Sequence, residues 1–173
     1  IYSGVEKTVN YLVFRGHKRI ILAPPLRYNM NMAKGFRERA YKDALEANGL
    51  PYNDHYVCRN TESENSVLAT IFDLVFAGNP DERPTAVIAG DDYLAGHIIQ
   101  YVKRLGLKVP ADLAVVGMDN IYLADMLSPA LTSVDFSKEE FSDRLVDTML
   151  KLIDGQKPAD QYIAVSLAVR ESA

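Results

Sequence analysis

The chain has 173 residues, of which 48% are hydrophobic and 24% charged, and its formal net charge is -4. This length suits one ordinary domain with a real core, and no apolar run approaches the roughly 20 residues that a membrane-spanning helix needs. A net negative charge disfavours nucleic-acid binding by this chain, because a surface that binds nucleic acid has to neutralise the phosphates. The single cysteine, Cys58, excludes an internal disulfide and is typical of a reducing compartment.

Short apolar runs alternate with helical patterns along the whole chain. In order, the patterns predict a helix over 1–15, a strand over 19–24, a helix over 31–48, a strand over 55–59, a helix over 61–78, a strand over 85–90, a helix over 93–105, a strand over 113–117, a short helix over 121–127, an extended segment over 131–136, a helix over 137–154 and a closing strand over 162–169. Capping-box spacings begin at Ser3, Thr61 and Ser137. Because the strand runs are continuously apolar, they predict a doubly wound α/β fold with a parallel sheet covered on both faces.

Polar residues follow the predicted strands, at the edge of the sheet where doubly wound folds bind ligands. They are Arg27 and Asn29, Asn60 and Thr61, Asp91 and Asp92, and Asp119 and Asn120. Asp92 stands at the position of a helix N-cap, which leaves Asp91 and Asp119 for the cleft. Two ionised carboxylates suit a hydroxyl-rich ligand, since each accepts several hydrogen bonds. A Mg²⁺ site for phosphoryl transfer is the alternative that the same carboxylates allow.

The sequence offers little support for other chemistry. It contains no nucleophile elbow, no P-loop and no Gly-x-Gly-x-x-Gly after the first strand. None of His17, His55 and His97 stands at a metal-ligand spacing to another His or Cys. We therefore expect no catalytic residue, no cofactor and no metal, and we favour small-ligand binding over metal catalysis.

Several short motifs occur along the chain, and their order and spacing are specific when they are taken as a set. They are GHKRI at 16–20, GFR at 35–37, RPTAV at 83–87, DYLA at 92–95, GLKVPADLAVVGMD at 106–119, LSPALTSV at 127–134 and VRES at 169–172. With these motifs the chain resembles the effector-binding core of the LacI/GalR family of bacterial transcription regulators, which shares its fold with periplasmic sugar-binding proteins. The resemblance implies a repressor whose small-molecule effector sits between two similar subdomains.

The same resemblance divides the chain between those two subdomains. Residues 16–133 and 159–173 look like the C-terminal effector-binding subdomain, whereas 1–15 and 134–158 look like elements of the N-terminal one. The helix-turn-helix domain that binds operator DNA is expected outside this chain. On this division, the helices over 1–15 and 137–154 present apolar faces that lack their usual sheet.

The resemblance also points to an effector pocket. Asp119 matches an acid that binds effector hydroxyls in relatives, and Asp91 stands where relatives usually have Asn. Met32 replaces a usual Arg, so a guanidinium contact is expected only if Arg27 reaches the pocket instead. Fewer donors, fewer aromatic rings and one more acid predict a neutral or cationic effector bearing hydroxyls or amines, rather than a sugar phosphate. The predicted effector-binding residues are Asp119, Asp91, Arg27, Asn29, Met32, Thr61 and Met118.

Relatives dimerise partly through the C-terminal subdomain, and this implies an interface on the helix over 93–105 and the segment 121–128. The predicted interface residues are His97, Ile98, Tyr101 and Leu127. The function so implied is that of a cytoplasmic homodimer whose DNA affinity shifts when a sugar-like effector favours one arrangement of the subdomains. A periplasmic or extracellular sugar-binding protein of the same fold is the alternative, with a Mg²⁺-dependent enzyme less favoured.

Overall fold

The computed structural model describes residues 2–25, 31–59, 63–77 and 82–173, with all side chains in these ranges except those of 31–34 and 77. The helices are α1 (Tyr2–Phe14), α2 (Asn31–Ala47), α3 (Glu64–Phe72), α4 (Asp92–Arg104), α5 (Leu123–Met126) and α6 (Lys138–Ile153). The strands are β1 (Ile20–Ala23), β2 (Ala86–Ala89), β3 (Ala114–Met118), β4 (Thr132–Phe136) and β5 (Val165–Ala168). None of the helices in the described part of the chain is long and apolar enough to cross a membrane.

The five strands form one sheet in the order β1-β2-β3-β4-β5. Strands β1 to β4 are parallel, and β5 runs antiparallel to β4. Every residue of β1, β2 and β3 is buried, because helices cover both faces: Ile20 and Leu22 pack with α1 and α2, whereas Ile21 and Ala23 pack with α3 and α4. The predicted doubly wound α/β fold is thus confirmed, with one antiparallel edge strand.

Helix α1 packs on this sheet. Val5, Val9 and Leu12 are fully buried in the cluster that also holds α2 and the side chains of one sheet face. A Cβ built at Gly4 would lie 2.9 Å from Cγ1 of Val134, so the helix approaches β4 closely. The prediction that the apolar face of the helix over 1–15 lacks a sheet is therefore wrong, whereas the assignment of 1–15 to the N-terminal subdomain stays a prediction. An apolar stripe indicates that a helix has a buried face, but it does not indicate which sheet covers that face.

The predicted strand over 55–59 is largely replaced by a turn. The side chain of Asn53 accepts a hydrogen bond from the amide of His55 and caps a 3₁₀ turn over Asp54–Tyr56. Only a single parallel bridge between Val57 and Leu22 remains, with the Cys58 amide donating to the Leu22 carbonyl at 2.8 Å. The segment at Val57 therefore lies beside β1 on the side opposite β2, and the chain crosses over β1 to reach β2.

Two helix starts also differ from the prediction. Helix α3 is capped by Ser63, which forms a capping box with Ser66, whereas the predicted cap Thr61 lies outside the described residues. Helix α1 begins at Tyr2, ahead of the predicted cap Ser3. The third predicted cap is confirmed, since the Ser137 side chain accepts from the Glu140 amide at the start of α6.

Helix α6 differs from the other long helices in its exposure. None of its residues is buried, and its apolar side chains stand exposed: Phe141, Leu145, Met149, Leu152 and Ile153. Its contacts with the sheet include the edge-on approach of Phe141 to the Phe136 ring, at 6.0 Å between centroids. The assignment of 134–158 to a second subdomain stays a prediction.

Candidate functional site

Strand β1 pairs with β2 on one side and with the bridge residue Val57 on the other, so the winding of the sheet reverses between β1 and β2. A Cβ built at Gly90, which follows β2, would lie 2.1 Å from the nitrogen of Pro25, which follows β1. Only glycine allows this approach without a backbone shift. In open α/β sheets, such a reversal opens the crevice that binds ligands, and Asp91 directly follows Gly90 there.

Asp91 caps helix α4. Its backbone is extended, with φ -153° and ψ 168°, and its Oδ1 accepts a hydrogen bond from the amide of Leu94 at 2.8 Å. The sequence-based prediction that Asp92 is the cap is therefore wrong. Asp92 occupies the first turn instead and is fully buried, because an extended residue must precede the first helical one and Asp91 has that conformation. Asp91 keeps its place at the crevice and fills the capping role as well.

Asp119 follows β3 with an unusual backbone. Asp119 and Asn120 have positive φ angles of 95° and 43°, which are uncommon for residues other than glycine. The Asp119 amide donates to the Val134 carbonyl at 3.0 Å, which ties this residue to β4. Partial desolvation and the charge of Asp91 raise the pKa of the Asp119 carboxyl, whereas Arg37 and Lys138 act in the opposite direction.

Arg37 brings a guanidinium to the same two carboxylates. This residue of α2 is 9% exposed, and its Nε is buried without a hydrogen-bond partner. Burial lowers the pKa of the Arg37 side chain, and the charges of Asp119 and Asp91 oppose that shift. No ion pair of 4.0 Å or less joins Arg37 to either carboxylate among the described residues. Arg37 is therefore a buried, incompletely satisfied donor beside two acceptors.

The sequence analysis did not assign Arg37 to the site, although a local signal for it existed. Among the residues of α2 whose side chains are described, the buried ones fall at 37, 40, 41, 44 and 45, which is the spacing of one helical face. Arg37 is charged, and a charge at such a core position is rarely without a partner or a function.

A cavity of about 90 Å³ lies between Arg37 and Asp119 and the edge of the sheet. Apart from these two charged groups its walls are apolar, a combination typical of small-molecule sites. The lining residues are Gly4, Arg37, Met118, Asp119, Val134, Phe136 and Val165. This arrangement can hold a polar molecule that accepts hydrogen bonds from the guanidinium of Arg37 and donates them to the carboxylate of Asp119.

Comparisons with known proteins identify the chain's relatives. A family model described as a periplasmic binding protein-like domain matches residues 9–173. The chain is 33% identical over 165 residues to the HTH-type transcriptional repressor PurR of Photorhabdus laumondii, covering 95% of the chain and 47% of that repressor. The chain belongs to the LacI family of transcriptional regulators. It is also 36% identical over 127 residues to Catabolite control protein A of Priestia megaterium, covering 73% of the chain and 37% of that protein.

A solved LacI-family structure agrees with this assignment. A transcriptional regulator from Mycobacterium smegmatis superimposes with a TM-score of 0.85 at 26% identity, covering 99% of this chain and 63% of that one. The family and fold predicted from the sequence motifs are therefore confirmed. The chain spans half or less of the length of the curated relatives described above.

The structure brings together part of the predicted effector-binding set. Asp119 and Met118 line the cavity, and Asp91 acts electrostatically on both Arg37 and Asp119. Arg37 of α2 brings a guanidinium to this cavity, whereas the expected loss of a guanidinium contact at position 32 stays a prediction. Three predicted residues lie outside the described residues, and Met32 lies in α2 with its side chain undescribed. Those three are Arg27, Asn29 and Thr61.

Some of the predicted dimer residues lie in the core and others lie at the surface. Ile98 is fully buried among the side chains of the α3 and α4 face, so its assignment to an interface is wrong: position 98 points toward the sheet. His97 is exposed, with Nε2 3.2 Å from Oε2 of Glu64. Tyr101 and Leu127 are half-buried. His97 and Leu127 border an open groove of about 280 Å³ between α4 and α5.

The alternative of a Mg²⁺ site depends on clustered carboxylates. Within 2–25, 31–59, 63–77 and 82–173, no group of three or more His, Cys, Asp or Glu side chains could hold a metal ion. The third acid considered from the sequence, Asp92, is directed to Ser133 and to the amide of Ile121. Asp91 and Asp119 are therefore the two carboxylates that remain beside Arg37 at this edge of the sheet.

Proposed function

We propose that this chain is the effector-sensing part of a cytoplasmic DNA-binding transcriptional repressor, and that it binds a small, polar, hydroxyl-bearing molecule at Arg37, Asp91 and Asp119. The observation that carries the proposal is the buried guanidinium of Arg37, whose Nε has no partner, on a residue that lines the same cavity as Asp119. An unsatisfied buried donor is costly, and a ligand that accepts its hydrogen bond removes this cost. The likeness to LacI-family repressors supports the same role.

The charges at the site indicate the class of effector. One guanidinium and two carboxylates give donors and acceptors together, with a formal balance of one negative charge when both acids are ionised. Hydroxyl groups satisfy both kinds of partner, because each hydroxyl donates one hydrogen bond and accepts others. A neutral sugar or a related polyol therefore fits better than a dianionic sugar phosphate, which Asp91 and Asp119 would repel.

Helix α6 supports a mechanism that involves a second subdomain. Because α6 buries none of its residues in this chain, we infer that residues 137–158 pack on the second subdomain, and that operator DNA binds through a helix-turn-helix domain beyond it. An effector held between the subdomains then favours one relative orientation of them. The free energy of DNA binding changes by no more than the difference between the effector's binding free energies for the two orientations.

A screen of ligands on the intact protein tests the effector site. Sugars, polyols, nucleobases and amines are added in a thermal-shift assay, and a true effector raises Tm with saturation. Arg37→Met and Asp119→Asn should abolish the shift. Arg39→Met is the matched control, since Arg39 lies on the exposed side of the same helix and pairs with Asp43 at 3.7 Å. An effector that shifts both Arg37→Met and Arg39→Met as it shifts the wild type refutes the site.

The regulatory half of the proposal has a separate readout. The intact protein should bind DNA from upstream of its own gene in a fluorescence anisotropy titration, and the effector should change that affinity. A protein that binds the effector but has no affinity for DNA at low salt would instead be a binding protein of the periplasmic kind.

The homodimer is proposed to use the α4 and α5 face, with His97, Tyr101 and Leu127. The groove that His97 and Leu127 border is open to solvent, and Leu127 contributes an apolar side chain at its edge. Leu127→Asp should shift the monomer–dimer balance toward monomer in sedimentation equilibrium. Phe14→Asp, at a remote exposed position, should leave the balance unchanged, and an equal effect of both substitutions would contradict this interface.

A further inference from the structure

We infer that Asp92 and Ser133 are positioning residues that hold Asp119 and Asn120 in their left-handed backbone conformation, and thereby direct the Asp119 carboxylate to the effector. The inference rests on the proposed function in one respect: it takes Asp119 as a residue that contacts the effector. Asp92 and Ser133 do not line the cavity, and they act on it through the segment 119–121.

The carboxylate of Asp92 is fully used inside the protein. Its Oδ1 accepts a hydrogen bond from the Ser133 hydroxyl at 2.6 Å, and its Oδ2 accepts one from the Ile121 amide at 2.8 Å. The side chain is fully buried. This buried acid therefore connects the start of α4 to β4 and to the segment after β3.

Ser133 extends this link to Asn120. Its Oγ donates to Asp92 and also accepts from the Asn120 amide at 3.1 Å. The two amides that follow Asp119 are therefore both held by the pair, one by Ser133 and one by Asp92. Without these acceptors, Asn120 and Ile121 would have buried or half-buried donors to satisfy elsewhere.

Strand β3 leaves room for this carboxylate at Gly117, which pairs in register with Ser133. A Cβ built at Gly117 would lie 2.2 Å from Oδ1 of Asp92. Any larger residue at 117 would therefore displace the carboxylate. The absence of a side chain at this position makes the contact between Asp92 and Ser133 possible.

The backbone at Asp119 and Asn120 needs such support. Two consecutive residues other than glycine with positive φ persist only where surrounding contacts determine their conformation. Further bonds to Asn120 come from its outer side, where Lys138 Nζ donates to its carbonyl at 2.9 Å and Arg170 donates to its Oδ1 at 2.8 Å. Those contacts are part-exposed, whereas the Ser133 and Asp92 contacts fix the amides from within.

NMR on the protein without effector tests the inference through Ser133→Ala and Asp92→Asn. The first variant removes the acceptor of the Asn120 amide, and the second keeps the side-chain shape but removes its charge. We expect the ¹³Cα and ¹³Cβ shifts of Asp119 and Asn120 to move away from left-handed values. Amide exchange at Asn120 and Ile121 should accelerate about 2- to 10-fold relative to β3, the factor that one hydrogen bond is worth.

Ser172→Ala is the matched control, because it tests whether any loss of a buried serine has the same effect. The Ser172 hydroxyl is also fully buried, donates to the Val115 carbonyl and accepts from the Thr132 amide. It should lower global stability without changing the shifts of Asp119 and Asn120. If the shifts and exchange rates at 119–121 stay as in the wild type in Asp92→Asn, the inference is overturned, even where Ser133→Ala does not fold. Because no effector is present, this outcome is independent of the effector screen.

Discussion

Replacement of Arg37 by Met tests whether the buried guanidinium lowers the stability of the ligand-free protein. The guanidinium loses solvation on folding, and the attraction of Asp119 and Asp91 does not restore it fully, so the pKa of Arg37 falls below its ordinary value. The folded, ligand-free protein therefore disfavours the charged side chain. Met is unbranched, neutral and adaptable in packing, and it removes the orphaned Nε. The expected gain in free energy of unfolding is about 1–3 kcal/mol, the cost of one unsatisfied buried polar group.

Urea denaturation at pH 7 measures this gain. For a chain of this size, each kcal/mol corresponds to a rise in Tm of roughly 2–4 °C. Arg39→Met serves as the control on the same helix, and it should change the free energy of unfolding by less than about 0.5 kcal/mol because its ion pair is exposed. The pKa of Asp119 should also rise further in Arg37→Met, because the guanidinium lowers it in the wild type, and a ¹³C carboxyl titration reports this.

The opposite result would refute the reasoning. A loss of about 1 kcal/mol or more in Arg37→Met, with Arg39→Met unchanged, would mean that the guanidinium stabilises the ligand-free fold through Asp91 and Asp119. Arg37 would then be a structural ion-pair residue rather than a donor held for a ligand.

The pKa of Asp92 is raised to about 6, chiefly by burial, so the folded protein retains a proton that the unfolded chain releases from about pH 4. This group should make the free energy of unfolding fall by about 2 kcal/mol as pH rises from 4 to 6, and Asp92→Asn should flatten that part of a urea-denaturation series. Ile98→Ala should cost about 2–5 kcal/mol in the same assay because the side chain is fully buried, and a near-neutral effect would restore Ile98 as an interface candidate. Gly90→Ala should lower Tm because its Cβ would meet the Pro25 backbone, whereas Gly35→Ala, on α2 with nothing within 4 Å, should gain about 0.5–1 kcal/mol.

The sequence predicted the fold because the information for it is local. Continuous apolar runs at β1, β2 and β3 are what a sheet covered on both faces requires, and glycines and prolines mark where those runs end. The position of Asp119 followed in the same way, since any residue directly after β3 has to lie at the ligand-binding edge. These properties depend on neighbours in the chain and on the general geometry of parallel sheets.

The partners of each element depended on tertiary structure. The apolar stripes of α1 and α6 look alike in sequence, yet the first is buried on this sheet and the second is exposed. Likewise, adjacent aspartates are equivalent as a pattern, and the extended backbone at Asp91 decided that it caps α4 while Asp92 turns inward. A shift of one residue at a helix start exchanges a pocket residue with a core residue.

The family, the order of the elements and the edge of the sheet that carries the site could therefore be predicted from the chain's residues alone. The convergence of side chains at that edge could not: Arg37 from α2 joins Asp91 and Asp119, although 54 and 82 positions separate it from them in the chain. Apolar periodicity is a property of residues that are close in the chain. The proximity of charged side chains depends instead on how the helices pack on the sheet.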